Sequence, residues 1–199
     1  FIDPVPAIFL GSSEVSVKEM VGAFSIYANK GVYNAPMMVT KIEDKYGNVL
    51  ANFYPESREV ITENTAFLMA NLLQGVVDEG TGRRLRFRYG FKNQIGGKTG
   101  TTQNHSDGWF IGITPDLAGG VWVGAEDRSI HFQNLANGQG ASMALPIWAL
   151  FMQKVYADKS LAVPQSDFQK PNGVNHVLDC GDADREGMTD YDSSDEIFD

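Results

Sequence analysis

A single cysteine, Cys180, stands in the 199-residue chain. That scarcity excludes an internal disulfide and any cysteine-rich metal site. Long hydrophobic runs are missing as well: no apolar stretch approaches the roughly 20 residues that span a bilayer, and no signal peptide is visible. The chain opens Phe1-Ile2-Asp3-Pro4 without a methionine, which reads as an internal start with room for an anchor or signal upstream. Excess positive charge is absent too, with 16 Lys and Arg against 25 Asp and Glu. Nothing suggests a nucleic-acid face or a polybasic cluster for anionic lipid. His105, His131 and His176 are scattered without metal-ligand spacing, so no metal or organic cofactor is expected.

The net charge of −9 is unevenly spread: residues 176–199 carry −8 and residues 1–175 only −1. Beyond Pro164 the chain turns polar and loses periodicity, which predicts a body over 1–164 and a disordered acidic tail over 165–199. Asp182-Ala183-Asp184-Arg185-Glu186-Gly187 mimics the opening of a calcium loop. Its twelfth position is Ser193, where a bidentate glutamate belongs.

Within the body, Ser16-Val17-Lys18-Glu19 is a capping box, and the apolar positions behind it recur at helical spacing up to Asn29-Lys30-Gly31. Met37–Asp44 and Val49–Tyr54 flank a Lys45–Asn48 turn and predict a hairpin. A second helix starts at Thr62, buries Ala66, Met69, Ala70, Leu73, Val76 and Val77, and closes at Gly80. Three short strands follow, 94–102, 108–114 and 119–125, with Trp109 and Trp122 packed in the sheet. A last helix over 141–156 offers Met143, Ile147, Trp148, Leu150, Phe151 and Val155 for burial. The order predicts an α+β fold, an antiparallel sheet backed by helices.

The chemistry centres on Gly96-Gly97-Lys98-Thr99-Gly100-Thr101-Thr102. A phosphate-binding loop would need G-x-x-x-x-G-K-[ST], hence glycine at position 92, which is Lys92, and a helix after Thr99 where the sequence is strand-like. The alternative is the K-T-G element of serine acyl-transfer enzymes that bind β-lactams. On a strand edge the lysine sets positive charge beside a serine proton relay and an anionic substrate. The glycine leaves space for that substrate, and strand amides can donate to an oxyanion. Ser106, His105 and Asp107 make a triad on paper only, since adjacent residues seldom converge on one point.

The context resembles the class A penicillin-binding proteins over residues 3–157. Leu10–Met20 is similar to the segment and helix after that family's S-x-N motif. Leu73-Gln74-Gly75-Val76-Val77 and Gly80-Thr81-Gly82 are similar to the helix and loop before its K-T-G strand. Asp107–Gly112 and Gly120–Gly124 are similar to the strands after it. The resemblance implies a partial penicillin-binding, serine β-lactamase-like fold that takes peptidoglycan stem peptides and β-lactams. Lys98 would be the charge of the relay, and the hydroxyls of Thr99 and Thr101 would bind the donor carboxylate. The Thr101 amide would form half the oxyanion hole, with Gly100 and Thr102 also lining the substrate site. Thr81 is explained as well by a tight turn as by a place at the cleft.

The sequence departs from the family at one decisive point. None of its twelve serines is followed three residues later by lysine, and there is no S-x-N. Both motifs are expected upstream of Phe1, so the chain by itself is expected not to be acylated. In its parent the resemblance implies a serine D,D-transpeptidase with a glycosyltransferase domain, at the outer face of the cytoplasmic membrane through an upstream anchor. The alternatives are a non-catalytic module that recognises stem peptides and an interaction protein that works through its acidic tail.

Overall fold

The computed structural model describes residues 4–11 and 13–174. Cys180, His176, the calcium-loop mimic and the acidic run therefore lie outside the described residues.

Helix α1 (Val17–Ala28) starts as its capping box dictates: Ser16 Oγ accepts from the Glu19 amide at 3.2 Å, and Glu19 Oε2 accepts from the Ser16 amide at 2.8 Å. The Ser16 hydroxyl, donating to Glu19 Oε2 at 2.7 Å, and then the Ser16 amide hold the Glu19 carboxyl below the usual carboxylate range. The chain leaves α1 through Lys30 and Gly31, both at positive φ, and a side chain at Gly31 would run into the Ile61 carbonyl. Strands β1 (Val32–Asn34) and β4 (Ser57–Glu59) then pair antiparallel around a hairpin of β2 (Lys41–Glu43) and β3 (Val49–Asn52). The β1–β4 pair was not anticipated, because three-residue strands are too short to show a period.

Helix α2 (Glu63–Asp78) is capped by Thr62 and buries Ala66, Ala70, Leu73 and Val77. A turn at Gly80-Thr81-Gly82 leads into the short α3 (Arg84–Phe87). Strands β5 (Gly96–Thr101), β6 (Asp107–Ile113) and β7 (Ala118–Gly124) form an antiparallel sheet in that order. The described residues end on α4 (Leu135–Gly138), α5 (Gly140–Ala157) and an extended segment.

Because successive strand residues point to opposite faces, β6 sends Phe110 one way and Ile113 the other, into two separate cores. On Phe110's face, α5 packs Leu145, Trp148, Ala149 and Met152, with Trp148 edge-on to Phe110 at 5.4 Å. Glycines admit that helix: a Cβ at Gly108 would lie 2.5 Å from Met143, and one at Gly112 2.5 Å from the Trp148 ring. On the opposite face, Ala70 and Leu73 of α2 pack on Ile113 together with Phe24 and Tyr27 of α1. The α+β prediction holds, with helices on both sides of the sheet. Among the described residues no helix is long and apolar enough to cross a membrane.

The burial expected of the last helix needs correction. Met143, Trp148 and Val155 are buried, but Ile147, Leu150 and Phe151 are at least half exposed. The small residues Ala141, Ala144 and Ala149 sit against the sheet instead, and this close approach turns the bulky stripe outward. Residues 165–174 run along the body, where Phe168 packs on the α1–α2 core, its amide donates to Gln94 Oε1 at 2.8 Å, and Val174 is buried. Two apolar residues in a polar stretch, with the Gln94 bond, hold this segment there.

Candidate active site on the edge strand β5

Strand β5 pairs with β6 along one side only, Lys98 opposite Ile111, Thr99 opposite Phe110 and Thr101 opposite Gly108. Among the described residues its other edge has no strand beside it, so it is an open ladder. Alternation divides its side chains: Thr99 and Thr101 share the α5 face, and Lys98 and Gly100 the α1–α2 face.

Each threonine hydroxyl is anchored by a residue from another element. Thr99 Oγ1 lies 2.8 Å from Thr81 Oγ1 in the α2–α3 turn. Thr101 Oγ1 accepts from the Gly140 amide at 3.0 Å, the first residue of α5. Gln139 makes no side-chain cap for α5, so Thr101 takes that part from across the sheet. An oxygen that already accepts one hydrogen bond keeps its own O–H free to donate. Thr101 therefore presents a donor beside the positive end of an 18-residue helix.

Gly140 is essential to this contact, since a Cβ there would collide with the carbonyl oxygens of Gly100 and Trp109. Arg84 holds the same helix start, its Nη1 donating to Ala141 O and Ser142 Oγ, both at 2.8 Å. Gly140 and Arg84 were not singled out from sequence. The available signal was Gly138-Gln139-Gly140 before an apolar helix, a glycine pair that marks close backbone approach.

Lys98 is exposed, and its Nζ donates to the Thr99 carbonyl at 2.8 Å. Lys98 is the one charge of the strand, and it favours an anionic ligand beside it. At Gly100 a Cβ would press on the Trp109 Cβ at 3.2 Å, so the glycine relieves a cross-strand contact.

Thr102 does not join the other threonines. Its hydroxyl faces inward, donating to Asp107 Oδ2 at 2.9 Å, accepting from the Asp107 amide at 3.1 Å and lying 3.0 Å from Ser106 Oγ. Asp107 is buried and also faces Arg128 at 3.6 Å. This network closes the turn from β5 to β6, in which Asn104 and His105 sit at φ 60° and 56°. His105 Nδ1 is buried without a hydrogen-bond partner among the described residues, and the Ser106 hydroxyl pairs with Thr102 instead.

Two shallow hollows lie away from this edge: one of about 380 Å³ between the 89–93 loop and α5, and one of about 290 Å³ where residues 166–169 cross α1 and α2. The geometry of β5 is that of an open strand edge, suited to an extended chain with an anionic end.

Comparison with known proteins gives the same family. The penicillin binding protein transpeptidase domain matches residues 8–140. Penicillin-binding protein 1A of Aquifex aeolicus is 33% identical over 170 residues, covering 85% of this chain and 22% of that protein. Penicillin-binding protein 2D of Bacillus subtilis is 32% identical over 183 residues, covering 88% of this chain and 25% of that protein. The crystal structure of penicillin-binding protein 1A from Haemophilus influenzae superposes with a TM-score of 0.73 at 23% identity, over 83% of this chain and 29% of that one. PonA1 from Mycobacterium tuberculosis in complex with penicillin V gives 0.67 at 23% identity, over 84% and 44%. The chain thus spans about a quarter of the curated relatives' length. With a domain match over most of its body, relatives above 30% identity and a shared fold, the chain belongs to the penicillin-binding protein transpeptidase family, with class A proteins among its relatives.

Proposed function

We propose that β5 is the substrate-binding wall of a serine D,D-transpeptidase that cross-links peptidoglycan stem peptides and is acylated by β-lactams. One observation carries this reading: Thr99 and Thr101 lie on the same face of an open strand edge, each hydroxyl already anchored by a neighbour outside the strand. A stem peptide adds to the edge as a strand, and its terminal carboxylate accepts hydrogen bonds from the two hydroxyls. Lys98 supplies positive charge to a relay whose serine comes from an S-x-x-K segment outside these residues. Attack of that serine on the donor carbonyl expels the terminal residue as an amine, and the amine of a second stem peptide then displaces the serine from the acyl-enzyme. The Thr101 amide stabilises the oxyanion formed in each step. Gly100 shapes the strand through Trp109, and Thr102 holds the turn that ends it. The enzyme works in the bacterial cell envelope, at the outer face of the cytoplasmic membrane, anchored by a segment outside this chain. The 199 residues alone are expected not to be acylated.

The test is intact-mass spectrometry of the full-length protein with benzylpenicillin, comparing wild type, Lys98→Ala and the 199-residue chain. The expected result is an adduct on wild type, a much slower one on Lys98→Ala and none on the chain. A folded full-length protein that gains no adduct removes the enzymatic reading and leaves a module that only binds stem peptides. An adduct on the chain by itself would mean that the nucleophile lies within it.

A further inference from the structure

The α2–α3 turn contributes more than a connection. Its geometry is secured by its two glycines: the Gly82 amide donates to Val76 O at 2.9 Å, and a Cβ at Gly80 would lie 2.9 Å from the same oxygen. The Thr81 side chain is left without a duty in the turn and is exposed. Its hydroxyl nevertheless reaches across to Thr99 Oγ1 at 2.8 Å. An exposed hydroxyl pair adds little to folding, because water would serve either partner as well.

Counting protons gives the pair a direction. A threonine hydroxyl has one proton, and a carboxylate can only accept. When Thr99 gives its proton to a carboxylate, its oxygen can only accept from Thr81. The chain then runs from Thr81 O–H to Thr99 Oγ1 and from Thr99 O–H to the ligand, each bond strengthening the next. We propose that Thr81 is a positioning residue that orients the Thr99 hydroxyl toward the carboxylate of the substrate or β-lactam, and so selects for anionic ligands. This rests on the function proposed above for β5.

Thr81→Val keeps the branched shape and removes the donor; Thr81→Ser keeps the donor. The measurement is the second-order acylation rate of the full-length protein by benzylpenicillin and by its methyl ester, which lacks the carboxylate. A thermal midpoint confirms that each variant is folded. The expected outcome for Thr81→Val is a loss of about fivefold with benzylpenicillin and less than about twofold with the ester. Thr81→Ser should stay near wild type on both. Acylated wild type with equal rates in Thr81→Val, or an equal loss on acid and ester, overturns the role of Thr81 and leaves the enzyme reading standing. A wild type that neither compound acylates overturns the enzyme reading, and this inference with it.

Discussion

Replacing Gly140 by alanine adds one methyl group at the point where α5 meets the sheet. That carbon would sit well under 3.0 Å from the carbonyl oxygens of Gly100 and Trp109, and both are backbone atoms of paired strands. Carbon and oxygen settle at about 3.3 Å or more, so the helix start must retreat by something on the order of 1 Å. The Gly140 amide is only 3.0 Å from Thr101 Oγ1, and the retreat takes it out of hydrogen-bonding range. Overpacking costs about 1–3 kcal/mol and the lost bond about 1 kcal/mol. The helical preference of alanine over glycine returns less than about 1 kcal/mol at this position. The net expectation is a loss of about 2 kcal/mol, seen in urea unfolding by tryptophan fluorescence as a midpoint lower by roughly 1 M. Gly75→Ala is the matched control, the same chemical change inside α2 where a Cβ meets nothing within 4 Å. It should stabilise by about 0.5–1 kcal/mol. If Gly140→Ala matched Gly75→Ala in sign, the close approach of α5 to β5 would be refuted. Acylation of the full-length protein should slow in Gly140→Ala and stay unchanged in Gly75→Ala.

Asp107→Asn weakens the carboxylate that accepts from Thr102 and faces Arg128. It should cost about 1–2 kcal/mol in the same unfolding assay, and a neutral effect would mean that the 102–107 turn is held by its backbone alone. Glu19 has its folded pKa depressed by Ser16, so its contribution is present above the unfolded carboxylate value and is lost as pH falls through the folded one. Glu19→Gln should therefore flatten the pH dependence of stability on the acid side and converge with wild type at low pH; parallel curves would contradict this. Phe168→Ala removes the half-buried ring that joins the 165–174 segment to α1 and α2, at about 1–2 kcal/mol, less than the cost for a fully buried ring. An unchanged midpoint would show that this segment carries no load.

Legibility in the sequence followed the length of the pattern. The capping box at Ser16, the α2 stripe and the three strands could be read because each is a local rule repeated over one or more turns. The β1–β4 pair and α3 escaped, being three and four residues long. The outward stripe of Ile147, Leu150 and Phe151 was misread for another reason: apolarity does not say which face of a helix meets glycines on the sheet. At the site, the K-T-G strand was visible as a motif, but what surrounds it was not. That Thr81 meets Thr99 and that the Gly140 amide meets Thr101 depends on contacts 18 and 39 residues apart. No periodicity records such contacts. Thr102 lies just past the end of β5, where Asp107 takes its hydroxyl inward.

An unpaired strand edge is a hazard that proteins usually blunt with charge, short length or a covering element. β5 is six residues long and carries its one charge, Lys98, near the middle of the open ladder. A peptide with an anionic end adds favourably beside that ammonium, whereas a second copy of β5 would bring another lysine to it. The same residue thus disfavours self-pairing and favours the proposed ligand. The threonines answer a second requirement, since a hydroxyl on a bare edge would be free to rotate. The Gly140 amide occupies one lone pair of Thr101, and Thr81 pairs with the Thr99 hydroxyl, so both hydroxyls are held before a carboxylate arrives. Pre-placed donors lower the ordering cost of binding. That requirement explains why an edge strand needs α5 and the α2–α3 turn packed against its end.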